Sequence, residues 1–215
     1  MRKKLISILI IALCFALLAS CARKDKENTM DTKIMARSAV TPVEHLLTKV
    51  CPADDALALA KAADVVVFEF KGCTSGQEVW DAFYQKVSNN EPATVLCAYY
   101  YTLDPSNMSA ELYEQEKDKY PVLYLYDIVY NGEQFTVTIR DSSKADYESK
   151  ETYKHIIHST GEAPDTALYR NYDYYILVDD PELTWEQIEG WLFSSQWMEQ
   201  PKYCTVYLNY EGWID

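Results

Sequence analysis

The stretch PVLYLYDIVYNGEQFTVTIRD (121–141) constrains the fold more than any other part of the chain. Two runs rich in Tyr, Val, Ile and Thr flank Asn131-Gly132, and Asn-Gly between such runs predicts a two-residue hairpin turn of type I′. In the second run Phe135, Val137 and Ile139 alternate with Thr136, Thr138 and Arg140. Alternation of period two buries one face of a strand and wets the other. The remaining elements have to be arranged around a hairpin.

Helices are predicted over Pro42–Val50 and Asp54–Ala63, the second opened by an Asp cap. VVVFEF (65–70) is β-branched and aromatic, a strand by length, and Gly72–Gly76 breaks it. Ser75 or Gly76 then opens a helix on which Val79, Trp80, Phe83 and Val87 form one apolar stripe. A strand over Thr94–Leu103 follows, then a turn at Asp104-Pro105. Next comes a helix capped by Ser109, with Met108 and Tyr113 as a hydrophobic staple, which must stop before Pro121. ETYKHIIHST (151–160) and Tyr172–Asp180 read as strands. Thr184 and Gln187 make a capping box for a helix with the stripe Trp185, Ile188, Leu192 and Ser195, and a last strand runs from Tyr203 to Tyr210. The expected architecture over 41–215 is one α+β domain: a mainly antiparallel sheet of five to seven strands with helices packed on one face.

The N-terminus makes a different statement. Arg2, Lys3 and Lys4 precede an uncharged run from Leu5 to Leu18, then Ala19, Ser20 and Cys21. A basic start, a short apolar core and a small-residue cleavage site are the parts of a secretory signal, and the core is short for a bilayer span of about 20 residues. Leu18-Ala19-Ser20-Cys21 resembles the lipobox of bacterial lipoproteins. That resemblance implies a signal peptide over 1–20 and diacylation of Cys21 as the first mature residue; the plain alternative is an ordinary signal peptide with an incidental cysteine. Two acyl chains anchor stably where one is marginal. Residues 21–40, polar and without a periodic apolar face, read as a flexible tether below the domain. The expected location is the extracytoplasmic face of the cell membrane.

Residues 1–20 hold three of the 20 basic residues and none of the 33 acidic ones, so without them the net charge moves from −13 to −16. A polyanion is repelled by nucleic acid and by anionic headgroups, which excludes nucleic acid as a partner and leaves the lipid as the membrane contact. Beyond Cys21 stand Cys51, Cys73, Cys97 and Cys204, with no CxxC. In an exported chain an even number permits two disulfides, and Cys51 and Cys73, flanking a helix and a strand, are the expected pair. Cys97 reads as a buried thiol acting as a small hydrophobe.

Catalytic signals are weak. His155 and His158 fall three apart on a strand, so they point to opposite faces, and no HExxH exists. Glu111, Glu114, Glu116 and Asp118 read as a solvated helix face, and Asp179, Asp180 and Glu182 as acids favoured near a helix N-terminus. G-x-S-x-G, GxGxxG and GxxxxGK[ST] are absent, so no metal and no cofactor is expected. The compositional excess is aromatic, with 18 Tyr and 5 Trp. Tyr99, Tyr101, Tyr124 and Tyr126 are the candidate binding surface, since Tyr is enriched where proteins bind; high β propensity is the competing explanation.

Trp80 to Asp141, with WDAFYQKV, YYYTLDP and YLYDIVYNGEQFTVTIRD, resembles a family of uncharacterised small lipoproteins and secreted domains of Gram-positive bacteria. The resemblance implies a lipoprotein context and a compact α+β fold, and no activity. The functional expectation is a lipid-anchored, non-enzymatic domain binding a protein, peptide or cell-wall glycan. The alternative is an extracytoplasmic hydrolase with a carboxylate-based site.

Overall fold

The structure, a computed structural model, describes residues 41–146, 149–192 and 200–214. The expected signal peptide, Cys21 and the expected tether lie outside them, as does Ser195. Helices α1 (Pro42–Thr48) and α2 (Ala53–Lys61) lead into strands β1 (Val66–Glu69) and β2 (Gly72–Ser75). Helix α3 (Gln77–Ser88), strand β3 (Ala93–Tyr101), helix α4 (Ala110–Glu116) and the hairpin β4 (Val122–Tyr130)–β5 (Phe135–Asp141) follow. Strands β6 (Ser149–Tyr153), β7 (His155–Glu162) and β8 (Asn171–Val178), helix α5 (Trp185–Leu192) and strand β9 (Tyr203–Glu211) complete the described elements.

All nine strands form one sheet in the order β6-β5-β4-β3-β1-β2-β9-β8-β7. Neighbours are antiparallel except β1 and β3, which run parallel and are joined by a crossover through β2 and α3, as parallel strands require. The two edge strands, β6 and β7, are consecutive in the chain and separated by Lys154 alone. Ser149–Tyr153 pairs with β5, and His155–Glu162 pairs with β8. One short segment thus serves both edges, and the sheet curls into a half-barrel.

These findings correct the expected architecture. The sheet has nine strands where five to seven were expected, it is mixed, and helices cover both of its faces. Two of the extra strands were hidden. The glycine-rich KGCTSG forms β2, and the run ETYKHIIHST contributes to two strands at opposite edges. Gly72 (φ +107°) and Gly76 (φ +79°) are needed there. A Cβ on Gly72 would lie 2.9 Å from the Asn209 Cα of β9, and one on Gly76 would lie 2.4 Å from the Val65 carbonyl oxygen. Helices occupy both faces because β3 is apolar on both. Val95, Cys97 and Tyr99 face α3, whereas Leu96 and Ala98 face α1 and α2. The hairpin turn also differs. Tyr130 pairs with Phe135 around a four-residue loop, and Asn131 does not take positive φ. Its side-chain oxygen instead accepts from the Glu133 and Gln134 N–H groups, each at 2.9 Å.

Inside the curl, α3 supplies the centre of the core. Trp80 is fully buried, stacked on Tyr207 of β9 at 4.9 Å and edge-on to Tyr175 of β8 at 5.2 Å. Phe83 and Val87 pack in the same cluster as Val95, Ile128, Phe135 and Val137. The α3 stripe therefore ties the two arms of the sheet together. Outside, α5 lays Ile188 on Tyr174, Ile176 and Val178, and its expected capping box is present between Thr184 and Gln187. Trp80→Ala is expected to cost about 3–5 kcal/mol, read as a fall in the urea midpoint at unchanged slope. Leu192→Ala, at the exposed end of α5, is expected to stay within about 0.5 kcal/mol of the parent.

Candidate functional site

Helix α3 fills one end of the concave face, beside Val95 and Cys97; at the other end β3 continues to Tyr99 and Tyr101. There the sheet bounds a cleft of about 670 Å³, within the range of small-ligand sites. Phe68, Tyr99 and Tyr101 line it from β1 and β3. Leu208 and Tyr210 line it from β9, and Phe70, Tyr169 and Trp213 from the adjoining loops. The rings form two contacting groups. Phe68 stacks on Tyr99 at 4.6 Å and Tyr126 touches Tyr99 at 4.5 Å. Across from them Trp213 meets Phe70 at 5.2 Å and Tyr210 at 5.9 Å, while Tyr169 lies 4.3 Å from Tyr210. A more open hollow of about 610 Å³ adjoins it, sharing Tyr99, Tyr101 and Leu208 and adding Tyr126, Tyr153 and Lys202.

All four expected tyrosines lie on the concave face, Tyr99 directly opposite Tyr124 and Tyr126 opposite Cys97. They are not all surface. Tyr101 is 45% exposed and Tyr124 and Tyr126 are half-buried, but Tyr99 is only 3% exposed. Its place in the ladder next to β1 puts it under Phe68, so it is wall and floor, not an exposed rung. Tyr99 Oη and Trp213 Nε1 are buried with no hydrogen-bond partner among the described residues. Burial pushes the phenols of Tyr99, Tyr101 and Tyr210 above their ordinary range, so each stays protonated at neutral pH. Phe70, Tyr210 and Trp213 were not anticipated. They come from opposite ends of the domain, and only the β2–β9 pairing of Gly72 with Asn209 brings them together.

The one formal charge among the cleft-lining residues is Glu69. Lys61 Nζ stands 2.7 Å from its carboxylate, and Thr74 Oγ1 donates to it at 2.6 Å. Burial pushes this carboxyl up, but those two hydrogen bonds outweigh it and hold the group below its ordinary range. At the rim, Lys71 Nζ lies 5.4 Å from the centre of the Trp213 ring, within cation–π distance.

The expected Cys51–Cys73 bridge is not formed. Both thiols are free, Cys51 packing with α1 and α2 on the convex face and Cys73 against the concave core. Cys97 is fully buried in that core, as expected, with Cys73 and Cys204 packed against it. Burial pushes all four thiols up, Cys204 to about 12 with Glu151 adding to the shift. None is activated as a nucleophile.

His158 Nε2 pairs with Asp173 Oδ1 at 2.7 Å and its ring lies flat on Tyr175, centroids 4.1 Å apart. His155, three residues earlier on β7, does not join it, and among the described residues no three His, Cys, Asp or Glu gather to hold a metal ion. On α4 and the turn after it, Glu114 pairs with Lys117 at 2.6 Å and Glu116 with Lys119 at 2.8 Å, exposed pairs of small energy. Asp180 accepts from the Glu182 N–H at 3.0 Å, turning the chain into α5. On the convex face Asp127 and Asp146 share a depression of about 300 Å³ with Arg140, whose guanidinium donates to the Leu47 and Lys49 carbonyls. Burial raises the Asp127 carboxyl, with Lys150 opposing.

No family model, no curated protein and no solved structure matches this chain.

Two outcomes are expected. In the native protein the thiols of Cys51, Cys73, Cys97 and Cys204 react with a disulfide reagent far more slowly than after denaturation, followed by thiol titration. Asp127 has a folded pKa above its unfolded value, so the native state binds more protons in that window and stability falls as pH rises through it. Asp127→Asn, which cannot ionise, therefore raises the thermal midpoint at neutral pH and lowers this pH dependence.

Proposed function

We propose that the chain is a non-enzymatic binding domain, held on the outer face of the cell membrane by lipid on Cys21, that takes its partner through the aromatic cleft of the concave face. The observation that carries this reading is the open cleft beside Tyr99. It is large, ring-walled and uncharged apart from a neutralised Glu69. A protein, a peptide or a cell-wall glycan can present the apolar or planar group that such rings stack on.

The hydrolase reading rests on the depression holding Asp127 and Asp146, where one carboxyl is raised beside a second. It is the weaker reading, because the depression is small and the Arg140 guanidinium is engaged with backbone carbonyls of the segment after α1.

Co-sedimentation with purified cell-wall sacculi and titration with a peptide library test the binding reading. Tyr101→Ser, at an exposed position, is expected to weaken retention about tenfold with an unchanged circular dichroism spectrum. Equal retention by parent and variant would overturn it. For the anchor, Cys21→Ser is expected to move the chain from the membrane fraction to the soluble one.

A further inference from the structure

We infer that the group received by the aromatic cleft is an organic ammonium ion carried by the partner. This rests on the cleft being the binding site, and it names what that site selects. Tyr101, Tyr210 and Trp213 line the cleft from both arms of the sheet, and the face of an aromatic ring is its electron-rich side. An ammonium ion over such faces gains about 0.5–2 kcal/mol, more as water is excluded. An anion finds the opposite. No lysine, arginine or histidine is among the lining residues, and the one carboxylate, Glu69, has already taken Lys61. The chain as a whole carries a net charge of −13, which draws cations toward the cleft and repels anions.

The protein also makes this contact with its own side chain. Lys71, in the turn between β1 and β2, places its ammonium 5.4 Å from the centre of the Trp213 ring at the cleft rim. A neutral apolar group would fill the volume but would leave this complementarity unused.

The test compares choline with 3,3-dimethylbutan-1-ol, which has the same shape without the charge. Both are titrated by calorimetry into the full-length protein in detergent micelles at constant ionic strength. Choline is expected to bind about tenfold more tightly than the neutral isostere. Tyr101→Leu, which keeps apolar volume at a partly exposed position, is expected to abolish most of that difference while the isostere still binds. Lys71→Met, which removes a like charge from the rim, is expected to tighten choline. Equal affinity for the two probes would overturn the ammonium assignment and leave the cleft standing as a site for neutral groups. If neither probe binds, the assignment also falls, and retention on sacculi or peptides decides separately whether the cleft is a site at all.

Discussion

The structure depends on one piece of chain having two partners. Residues 149–153 pair with β5 and residues 155–162 with β8, and only Lys154 stands between them. Since β5 and β8 lie toward opposite ends of the sheet order, this continuity forces the intervening strands to curve until the ends approach. Lys154 N–H donates to the Val178 carbonyl at 3.1 Å, so the second pairing begins where the first ends. A flat sheet of nine strands would present two long unpaired edges, a liability that proteins normally blunt. Here a single segment supplies both edge strands, so the two edges are joined through Lys154.

Curvature then creates an interior that has to be filled. One helix enters it, and its three buried residues Trp80, Phe83 and Val87 reach strands from both arms. The interior is longer than this helix covers. Along β3 the side chains facing inward are Val95 and Cys97, then Tyr99, then Tyr101, with exposure rising at the last from near zero to 45%. The cleft is therefore what remains of the concave face beyond α3. Tyr99 marks the boundary: its ring completes the packed core against Phe68 and is 3% exposed, whereas Tyr101 beyond it is 45% exposed.

Local elements were legible because their signals are local. The α3 stripe, the Ser109 cap, the Thr184–Gln187 box and the alternation of Phe135, Val137 and Ile139 all appear in the structure. What failed was whatever depends on partners distant in sequence. β-propensity along 151–160 could not show that the run changes neighbours in the middle, since pairing is a property of two strands. KGCTSG looked like a break because its glycines were read as flexibility, when Gly72 is required by the close approach of β9. An apolar run in β3 without alternation was the available sign that both faces would be covered. The site was half legible for the same reason. The ladder of four tyrosines followed from β3 and β4, but the facing wall of Phe70, Tyr169, Tyr210 and Trp213 is assembled by tertiary contacts alone.

The ionisable groups of the two faces of the sheet are shifted in different ways. Acid–base or nucleophilic chemistry needs groups whose protonation states are poised near neutrality and that face one space. In the concave interior the phenols of Tyr99 and Tyr101 and the thiols of Cys73, Cys97 and Cys204 are all driven up by burial. They are therefore kept neutral. Glu69, held in the opposite direction by Lys61 and Thr74, stays ionised and paired. The carboxyl that is raised, Asp127, faces the other side of the sheet. The rings of the cleft are therefore uncharged at neutral pH. The cleft rings pack on one another, Phe68 on Tyr99, Tyr126 on Tyr99 and Tyr169 on Tyr210, so its walls are continuous with the packed core, and a pre-packed wall is one that a bound group need not reorganise.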